Sequence, residues 1–242
     1  MLASTKLATY NPRSSTLQAQ RMSEEIPTKD RLRIIEVYAS IQGESTWAGL
    51  PCVFVRLAGC NLRCTWCDSE FTFTGGEHQH IDRIVEEACS YGIDMVEVTG
   101  GEPLAQRQSI RLMEKLLEKG KTVLLETSGS LDISKVPKPV RIIMDLKAPD
   151  SDECESNRWE NLSHLDENDE IKIVIASKKD YDWVVAQDKE HNLCERFEVL
   201  LSPAFEEVNP ADIVDWMLKD GLKARFQLQM HKVLWPPDAR GV

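Results

Sequence analysis

The chain has 242 residues, with 29 Lys and Arg against 40 Asp and Glu, giving a formal net charge of −11. That balance argues against nucleic acid as a direct partner, because neutralising phosphates needs clustered Lys and Arg. No run reaches the apolar length of a membrane span. The opening Met1-Leu2-Ala3-Ser4-Thr5-Lys6 lacks the apolar core of a signal peptide, and seven cysteines fit a reducing compartment better than a disulfide framework, so a cytoplasmic protein is expected.

Residues 1–30 are polar, carry Pro12 and Pro27, and show no helical or strand period. They read as a disordered tail, and residues 31–242 as one domain with a full core. From Arg33 the texture changes. Ile34–Tyr38 and Cys52–Leu57 predict two strands, joined by the polar segment Ser40–Ser45 and by Gly49-Leu50-Pro51.

The next stretch, Gly59-Cys60-Asn61-Leu62-Arg63-Cys64-Thr65-Trp66-Cys67-Asp68-Ser69, places three cysteines in one loop with C-x3-C-x2-C spacing. Three thiolates turned to a common point select iron–sulfur clusters, zinc or copper(I). A structural zinc site takes four protein ligands, and an electron-transfer cluster is normally held by four cysteines. Here the local count stops at three, and Cys52, in an apolar run, is a poor fourth. The spacing therefore suggests a cubane cluster with one iron left open; a zinc knuckle is the alternative.

Ile81, Ile84, Val85, Ala88 and Cys89 then mark one apolar helix face ending at Gly92, with Cys89 part of the core. Met95–Val98 predicts a strand running into Thr99-Gly100-Gly101-Glu102-Pro103, and Ile110, Met113, Leu116 and Leu117 a helix stopping at Gly120. Val123–Leu125, Ile142–Met144, Ile171–Ile175 and Phe197–Leu201 predict further strands. The acidic segment 150–169 reads as loop with a short helix; its Cys154 and His164 are weak ligand candidates. Tyr181, Trp183 and Val184 open a helix. Asn209-Pro210-Ala211-Asp212 is a helix start, with Ile213, Trp216 and Met217 as the buried face and Gly221 as the stop. Arg225–Gln229 predicts the last strand.

Strand and helix alternating this way imply right-handed crossovers and a parallel α/β sheet, here with about six parallel strands. Polar groups follow strand after strand: Thr99 and Glu102, Glu126 and Ser128, Asp145 and Lys147, Ser202, then Gln229 and His231. In parallel α/β architectures that carboxyl-end rim is where ligands bind.

The cluster loop, with an aromatic before its third cysteine, and Thr99–Pro103 together resemble the radical S-adenosylmethionine (SAM) enzymes. That resemblance implies a partial (β/α) barrel, with a 4Fe–4S cluster on Cys60, Cys64 and Cys67. SAM would be chelated on the open iron and cleaved after reduction to a 5′-deoxyadenosyl radical. It implies SAM contacts from Trp66, Cys67, Asp68, Gly101, Glu102, Glu126, Ser128, Asp145, Leu146, Lys147, Ser202 and Pro203. Glu102 would act on the SAM ammonium directly or by fixing its loop.

More specifically, Ser40–Glu44, Gly49–Pro51, Phe54–Cys64, Trp66–Ser69, Thr99–Pro103, Glu126–Ser130 and Gln229–Lys232 resemble the 7-carboxy-7-deazaguanine synthase family, and the likeness runs from Arg33 to Val242. It implies conversion of 6-carboxy-5,6,7,8-tetrahydropterin to 7-carboxy-7-deazaguanine with loss of ammonia, on the queuosine route. Gln42 and Glu44, with the backbone of Ile41 and Gly43, would read the pterin edge. Arg56 would clamp its carboxylate, and Thr99, His231 and Val242 would touch it. Ser69 stands where many relatives carry a threonine ligand to Mg2+. A homodimer and a flavodoxin- or ferredoxin-type reductant are implied too. Two other readings share the loop. A glycyl-radical activase would have no need of Gln42, Glu44 and Arg56 together, and a non-catalytic metal-binding module would not cleave SAM.

Overall fold

The computed structural model describes residues 30–237 and 239–242, so nearly all of the expected tail lies outside the described residues. Nine strands form one sheet in the order β3-β1-β2-β4-β5-β6-β7-β8-β9. Strand β1 (Arg31–Ile41) pairs antiparallel with β2 (Pro51–Leu57), and β3 (Glu77–His80) pairs antiparallel with the free side of β1. From β2 onward all pairings are parallel: β4 (Met95–Gly100), β5 (Thr122–Thr127), β6 (Arg141–Asp145), β7 (Glu170–Ile175), β8 (Glu198–Pro203) and β9 (Arg225–Phe226).

The partial-barrel architecture is as expected, but seven strands run in parallel where about six were expected, plus two antiparallel ones. Strand β3 escaped the sequence reading because Glu77-His78-Gln79-His80 has no apolar alternation; pairing with β1 makes it a strand. The last strand is shorter than the expected Arg225–Gln229, because the chain turns after Gln227 toward a helix.

Helices α1 (Ile81–Ser90), α2 (Ser109–Glu118), α3 (Lys178–His191), α4 (Leu193–Arg196), α5 (Pro210–Asp220) and α6 (Met230–Leu234) complete the fold. The β5–β6 connection carries no helix, and β6–β7 only the 3-10 turns Pro149–Ser151, Cys154–Ser156 and Trp159–Ser163. Asn209 caps α5 as expected, accepting a hydrogen bond from Ala211 N–H, and Gly221 ends it at positive φ. In α2 the inward face is Leu112, Met113 and Leu116, while Ile110 and Leu117 are only part-buried.

Side chains alternate across each strand, so the sheet has two faces of different chemistry. One face carries Val53, Val55, Val96, Val98, Val123, Leu125, Ile171, Ile173, Val199 and Leu201, all buried under the helices. On the other, Cys52, Phe54, Met95, Leu124 and Ile143 form a small apolar floor with Tyr38 and Trp47. Beyond that floor, toward the carboxyl ends, the same face turns polar: Arg56, Glu97, Thr99, Glu126, Asp145, Lys172 and Ser202. A sheet that buries valines on one side and ionisable groups on the other is built to hold a ligand on the second.

Candidate active site

The three-cysteine loop leaves β2 and is pinned by backbone contacts. Gly59, at φ +91°, donates its N–H to Thr72 O (2.6 Å) and accepts from Glu102 N–H (2.9 Å). Cys67 N–H reaches Cys64 O (3.2 Å) and Leu62 N–H reaches Cys60 Sγ (3.4 Å). From the opposite wall, Glu153 accepts from Arg63 N–H (2.5 Å), Ser151 O from Thr65 N–H (3.2 Å) and Asp150 O from the Thr65 hydroxyl (2.7 Å).

The two glycines after Thr99 explain why this loop lies against β4. A Cβ on Gly100 would overlap Leu57 O, and its φ of +144° suits glycine. A Cβ on Gly101 would collide with Gly59 O and stand 2.7 Å from Cys60 Cβ. The Gly100-Gly101 pair and the cluster loop are therefore one packed unit.

All three thiols are part-buried and free. Burial raises each pKa, that of Cys64 to about 11, and Cys67 feels the charge of Cys60 while Cys64 feels that of Cys67. Lys147 acts on all three in the opposite sense, favouring thiolate. Against burial, Asp145 and Cys64 hold the Lys147 pKa up at about 12, and its ammonium lies 2.8 Å from Asp145 Oδ2. Three mutually sensed thiols beside a fixed cation fit a thiolate-held cluster. Among the described residues no three Cys, His, Asp or Glu side chains are gathered around a single ion. A cluster does not ask that of them, since each thiolate takes a separate iron.

Of the two roles open to Glu102, the geometry supports fixing the loop. The side chain is fully buried and its carboxylate is saturated: Leu104 N–H (2.9 Å), Thr127 Oγ1 (2.9 and 3.0 Å), Ser128 N–H (2.7 Å) and Ser128 Oγ (2.6 Å) all donate to it. The Ser128 hydroxyl is thereby committed as well. Leu146 lies in the helix-side core, which leaves only its backbone for a ligand. By contrast Asp145 Oδ1 and Ser202 Oγ are buried without any partner, at the ends of β6 and β8, with Pro203 buried beside Ser202. A buried polar atom without a hydrogen bond costs about 1–3 kcal/mol, so both atoms fit a ligand that completes them. Trp66 is part-exposed on the cluster loop.

The loop after β1 forms the facing wall. Gln42 is 3% exposed and its amide is already in use: Nε2 donates to Glu97 Oε2 (2.9 Å) and Oε1 accepts from Glu44 N–H (2.5 Å). The Gln42 side chain thus shapes the loop, and its second Nε2 hydrogen and second Oε1 lone pair stay open to a ligand beside the backbone of Ile41 and Gly43. Glu44 faces Lys172, whose ammonium lies 2.8 Å from it and also pairs with Glu126. Thr99 Oγ1 donates to Glu126 Oε2 (3.2 Å). Burial opposes ionisation of Glu126, but Lys172 overrides it and lowers the carboxyl's pKa. Lys172 is in turn raised well above its ordinary value, since Glu126 and Glu44 outweigh its burial.

Arg56 is part-buried on the same face. Its Nε donates to Glu36 (2.8 Å) and one Nη2 hydrogen to the Tyr38 hydroxyl (2.7 Å), leaving Nη1 and the second Nη2 hydrogen as a pair able to grip a carboxylate.

The chain end returns to this wall. Met230 N–H donates to Gly43 O (2.8 Å), Gln229 Nε2 to Glu44 Oε1 (3.0 Å), and Lys232 Nζ to Asp68 Oδ2 (2.8 Å). His231 presses on Gly43, where an added Cβ would stand 2.6 Å from its Nδ1. Arg240 stacks on Phe71 (4.0 Å), whose ring also meets Arg56 at 5.8 Å, and Val242 ends the segment part-buried. Asp68, although desolvation opposes it, is held below the ordinary carboxylate range by Lys232 and Ser69, whose hydroxyl donates to Asp68 Oδ1 at 3.0 Å.

Lys172, Glu97, Glu36 and Tyr38 were not singled out from the sequence. Lys172 had a signal: a lysine between Ile171 and Ile173 in a strand covered on both faces must find a partner. Cys52 is fully buried, and burial raises its thiol pKa. Cys89 packs against the core, Cys154 sits in a 3-10 turn and His164 is exposed.

Comparison with known proteins gives four findings. Residues 54–182 match the Radical SAM superfamily. The chain is 43% identical to a 7-carboxy-7-deazaguanine synthase of Koribacter versatilis, over 87% of this chain and 100% of the relative. It is 42% identical to one from Chlorobaculum tepidum, over 91% and 100%. The crystal structure of QueE from Escherichia coli superposes with a TM-score of 0.70 at 19% identity, covering 83% of this chain and 95% of that one, a likeness of fold.

Proposed function

We propose, because the chain belongs to the 7-carboxy-7-deazaguanine synthase family of radical SAM enzymes, that the polar face between the cluster loop and the Gln42–Glu44 loop is where a carboxylated pterin loses its ring nitrogen. The chain is a ring-contracting lyase of queuosine biosynthesis, acting on 6-carboxy-5,6,7,8-tetrahydropterin to give 7-carboxy-7-deazaguanine and ammonia. Cys60, Cys64 and Cys67 would hold the 4Fe–4S cluster, which together with SAM would supply the radical chemistry.

The chain's own residues supply placement. Gly100 and Gly101 keep the SAM side of the pocket free of Cβ atoms, and Glu102 locks that loop from beneath. The unpartnered Asp145 Oδ1 and Ser202 Oγ, with Asp68 and the backbone around Leu146 and Pro203, line the SAM side. The free donor pair of Arg56 takes the substrate carboxylate, Thr99 and His231 border the ring, and the backbone of Ile41 and Gly43 meets the pterin's aminopyrimidinone edge. Lys172, fixed between Glu44 and Glu126, keeps Glu126 ionised at the pocket wall. The terminal segment through Val242 closes the pocket and keeps water from the reacting ring.

Magnesium is part of the proposal. Ser69 offers one hard oxygen, and an ion satisfied mainly by substrate and water suits so sparse a set. Asp68 is tied to Lys232, so the ion would draw on the Ser69 hydroxyl and the substrate carboxylate. A homodimer, reduced in the cytoplasm by a flavodoxin- or ferredoxin-type protein, completes the reading.

The observation that carries it is the convergence of Arg56, Thr99 and the Gln42–Glu44 loop on one buried face beside the three thiols. The test is anaerobic cluster reconstitution followed by 6-carboxytetrahydropterin, SAM, Mg2+ and reductant. Formation of the deazapurine is expected. SAM cleavage with the pterin left intact would overturn the substrate assignment.

A further inference from the structure

Glu97 is a buried acid that the reaction outlined above does not use. It lies on the polar face of β4, 1% exposed, two residues before Thr99. Its Oε2 accepts from Gln42 Nε2, and the far end of that amide accepts from Glu44 N–H, so one carboxyl holds an amide that holds the loop. The loop's base is closed by Gln42 N–H on Leu50 O (2.8 Å) and Gly49 N–H on Gln42 O (2.8 Å). Its tip carries the C-terminal helix, through Met230 N–H on Gly43 O and Gln229 on Glu44.

An amide has a donor end and an acceptor end of nearly equal size. A carbonyl acceptor beneath the Nε2 of Gln42 fixes which end points up. With the amide reversed, Glu44 N–H would face a donor and lose its partner. We propose that Glu97 is a positioning residue: by fixing the Gln42 amide it sets the Gln42–Glu44 backbone against the pterin pocket and the C-terminal helix at once. The pterin half of this rests on the function proposed above; the helix half does not.

The surroundings say which protonation state does this. Facing Glu97 are Glu126 from β5, Glu44 from the loop, Lys172 from β7, Cys52 from β2 and Tyr38 from β1. Burial and the charge of Glu126 raise its pKa to about 8. Below that pH the neutral acid offers its carbonyl to Gln42. Above it the carboxylate accepts more strongly from Gln42 Nε2, but as a third charge around one lysine it repels Glu44, the loop's other anchor, so the Glu44 end of the loop loosens as pH rises.

Three measurements on the cluster-loaded enzyme test this. In Glu97→Ala, without any substrate, hydrogen exchange at the Met230 amide should speed up by about tenfold or more. The same variant should raise KM for the carboxylated pterin about tenfold while kcat and substrate-free SAM cleavage stay within about twofold. The wild-type KM should climb on the alkaline side of pH about 8, and Glu97→Gln, neutral at every pH with its carbonyl kept, should lose that climb. Unchanged exchange at Met230 overturns the proposal, as does an alkaline climb that persists in Glu97→Gln. Should Glu97→Ala not fold, Gln42→Met breaks the same bond from the loop side and carries the exchange test. An enzyme that ignores the pterin defeats the function above, and the exchange result still decides the role of Glu97.

Discussion

The two walls of the site are held by different forces. On the cluster side, backbone lies on backbone: Gly100 and Gly101 meet Leu57 and Gly59 with no room for a Cβ of their own, and Glu102 is saturated from four neighbouring groups. On the opposite side, side chains reach across long stretches of sequence: Lys172 to Glu44 and Glu126, Gln42 to Glu97, Gln229 to Glu44. A backbone-packed wall has one geometry and keeps it, which suits thiolates that must meet a rigid cluster. A wall held by ion pairs and amides rests on partners far apart in the sequence, and each can be removed by one substitution. The contrast predicts that damage to one wall leaves the other standing.

The largest effect is expected from Lys172→Ala. It leaves the part-buried Glu44 and Glu126 without their cation; removing one partner of a fully buried ion pair costs about 3–5 kcal/mol, and the partial exposure of both acids puts the loss at the lower end, about 3 kcal/mol. Anaerobic denaturant titration should show that loss, while iron bound per chain in the folded protein stays at the wild-type level. Iron falling in step with Lys172→Ala would mean that the walls are one unit. Next is Gly101→Ala, whose Cβ meets Gly59 O and Cys60 Cβ. Overpacking of this kind costs about 1–3 kcal/mol. Iron retention should drop sharply here, with the pocket's far wall intact by Met230 exchange.

The same contrast explains what could be read from the sequence. The cluster loop was legible because its chemistry is local: Cys60, Cys64 and Cys67 sit within one turn-rich segment, and Gly100-Gly101-Glu102 within another. Glu102 could be placed in the site but not in its role, since the donors that saturate it, Thr127 and Ser128, come from the next strand. Gln42 was expected to read a ligand, and its second task, holding the loop through a residue 55 positions away, had no signal in the sequence. Lys172 and Glu97 look like ordinary strand charges until pairing shows that their face is the buried polar one. The parallel core followed from runs such as Ile171–Ile175, whereas β3 depended wholly on its partner. Family resemblance supplied the substrate, which no spacing in the chain encodes.

A third change tests the hinge between loop and chain end. Gly43→Ala puts a Cβ 2.6 Å from His231 Nδ1 and 3.2 Å from His231 N. The loop cannot yield easily, because Gln42 and Glu44 are tied on both sides, so the C-terminal helix should shift instead. KM for the carboxylated pterin should rise about tenfold, equivalent to about 1.4 kcal/mol, with kcat and iron content near wild type. A fall in kcat at constant KM would place His231 in the chemistry and not in closure.

The smallest effect should come from the terminal segment's own side chain. Arg240 stacks over Phe71 at 4.0 Å, and the same ring lies 5.8 Å from Arg56, so one aromatic meets two guanidinium groups. Cation–π contacts at exposed sites contribute about 0.5–1 kcal/mol, which sets the scale for Arg240→Ala at a few-fold in KM. Two positive groups on one ring repel each other, and a bound carboxylate at Arg56 relieves that repulsion, so the stacked arrangement is favoured once substrate is present. The loss should therefore be greater for the carboxylated pterin than for an analogue without the carboxylate. It should also shrink at high salt, where exposed charges are screened. Equal losses for the two pterins would reduce Arg240 to a mechanical latch on Phe71, holding the segment down without sensing what lies beneath it.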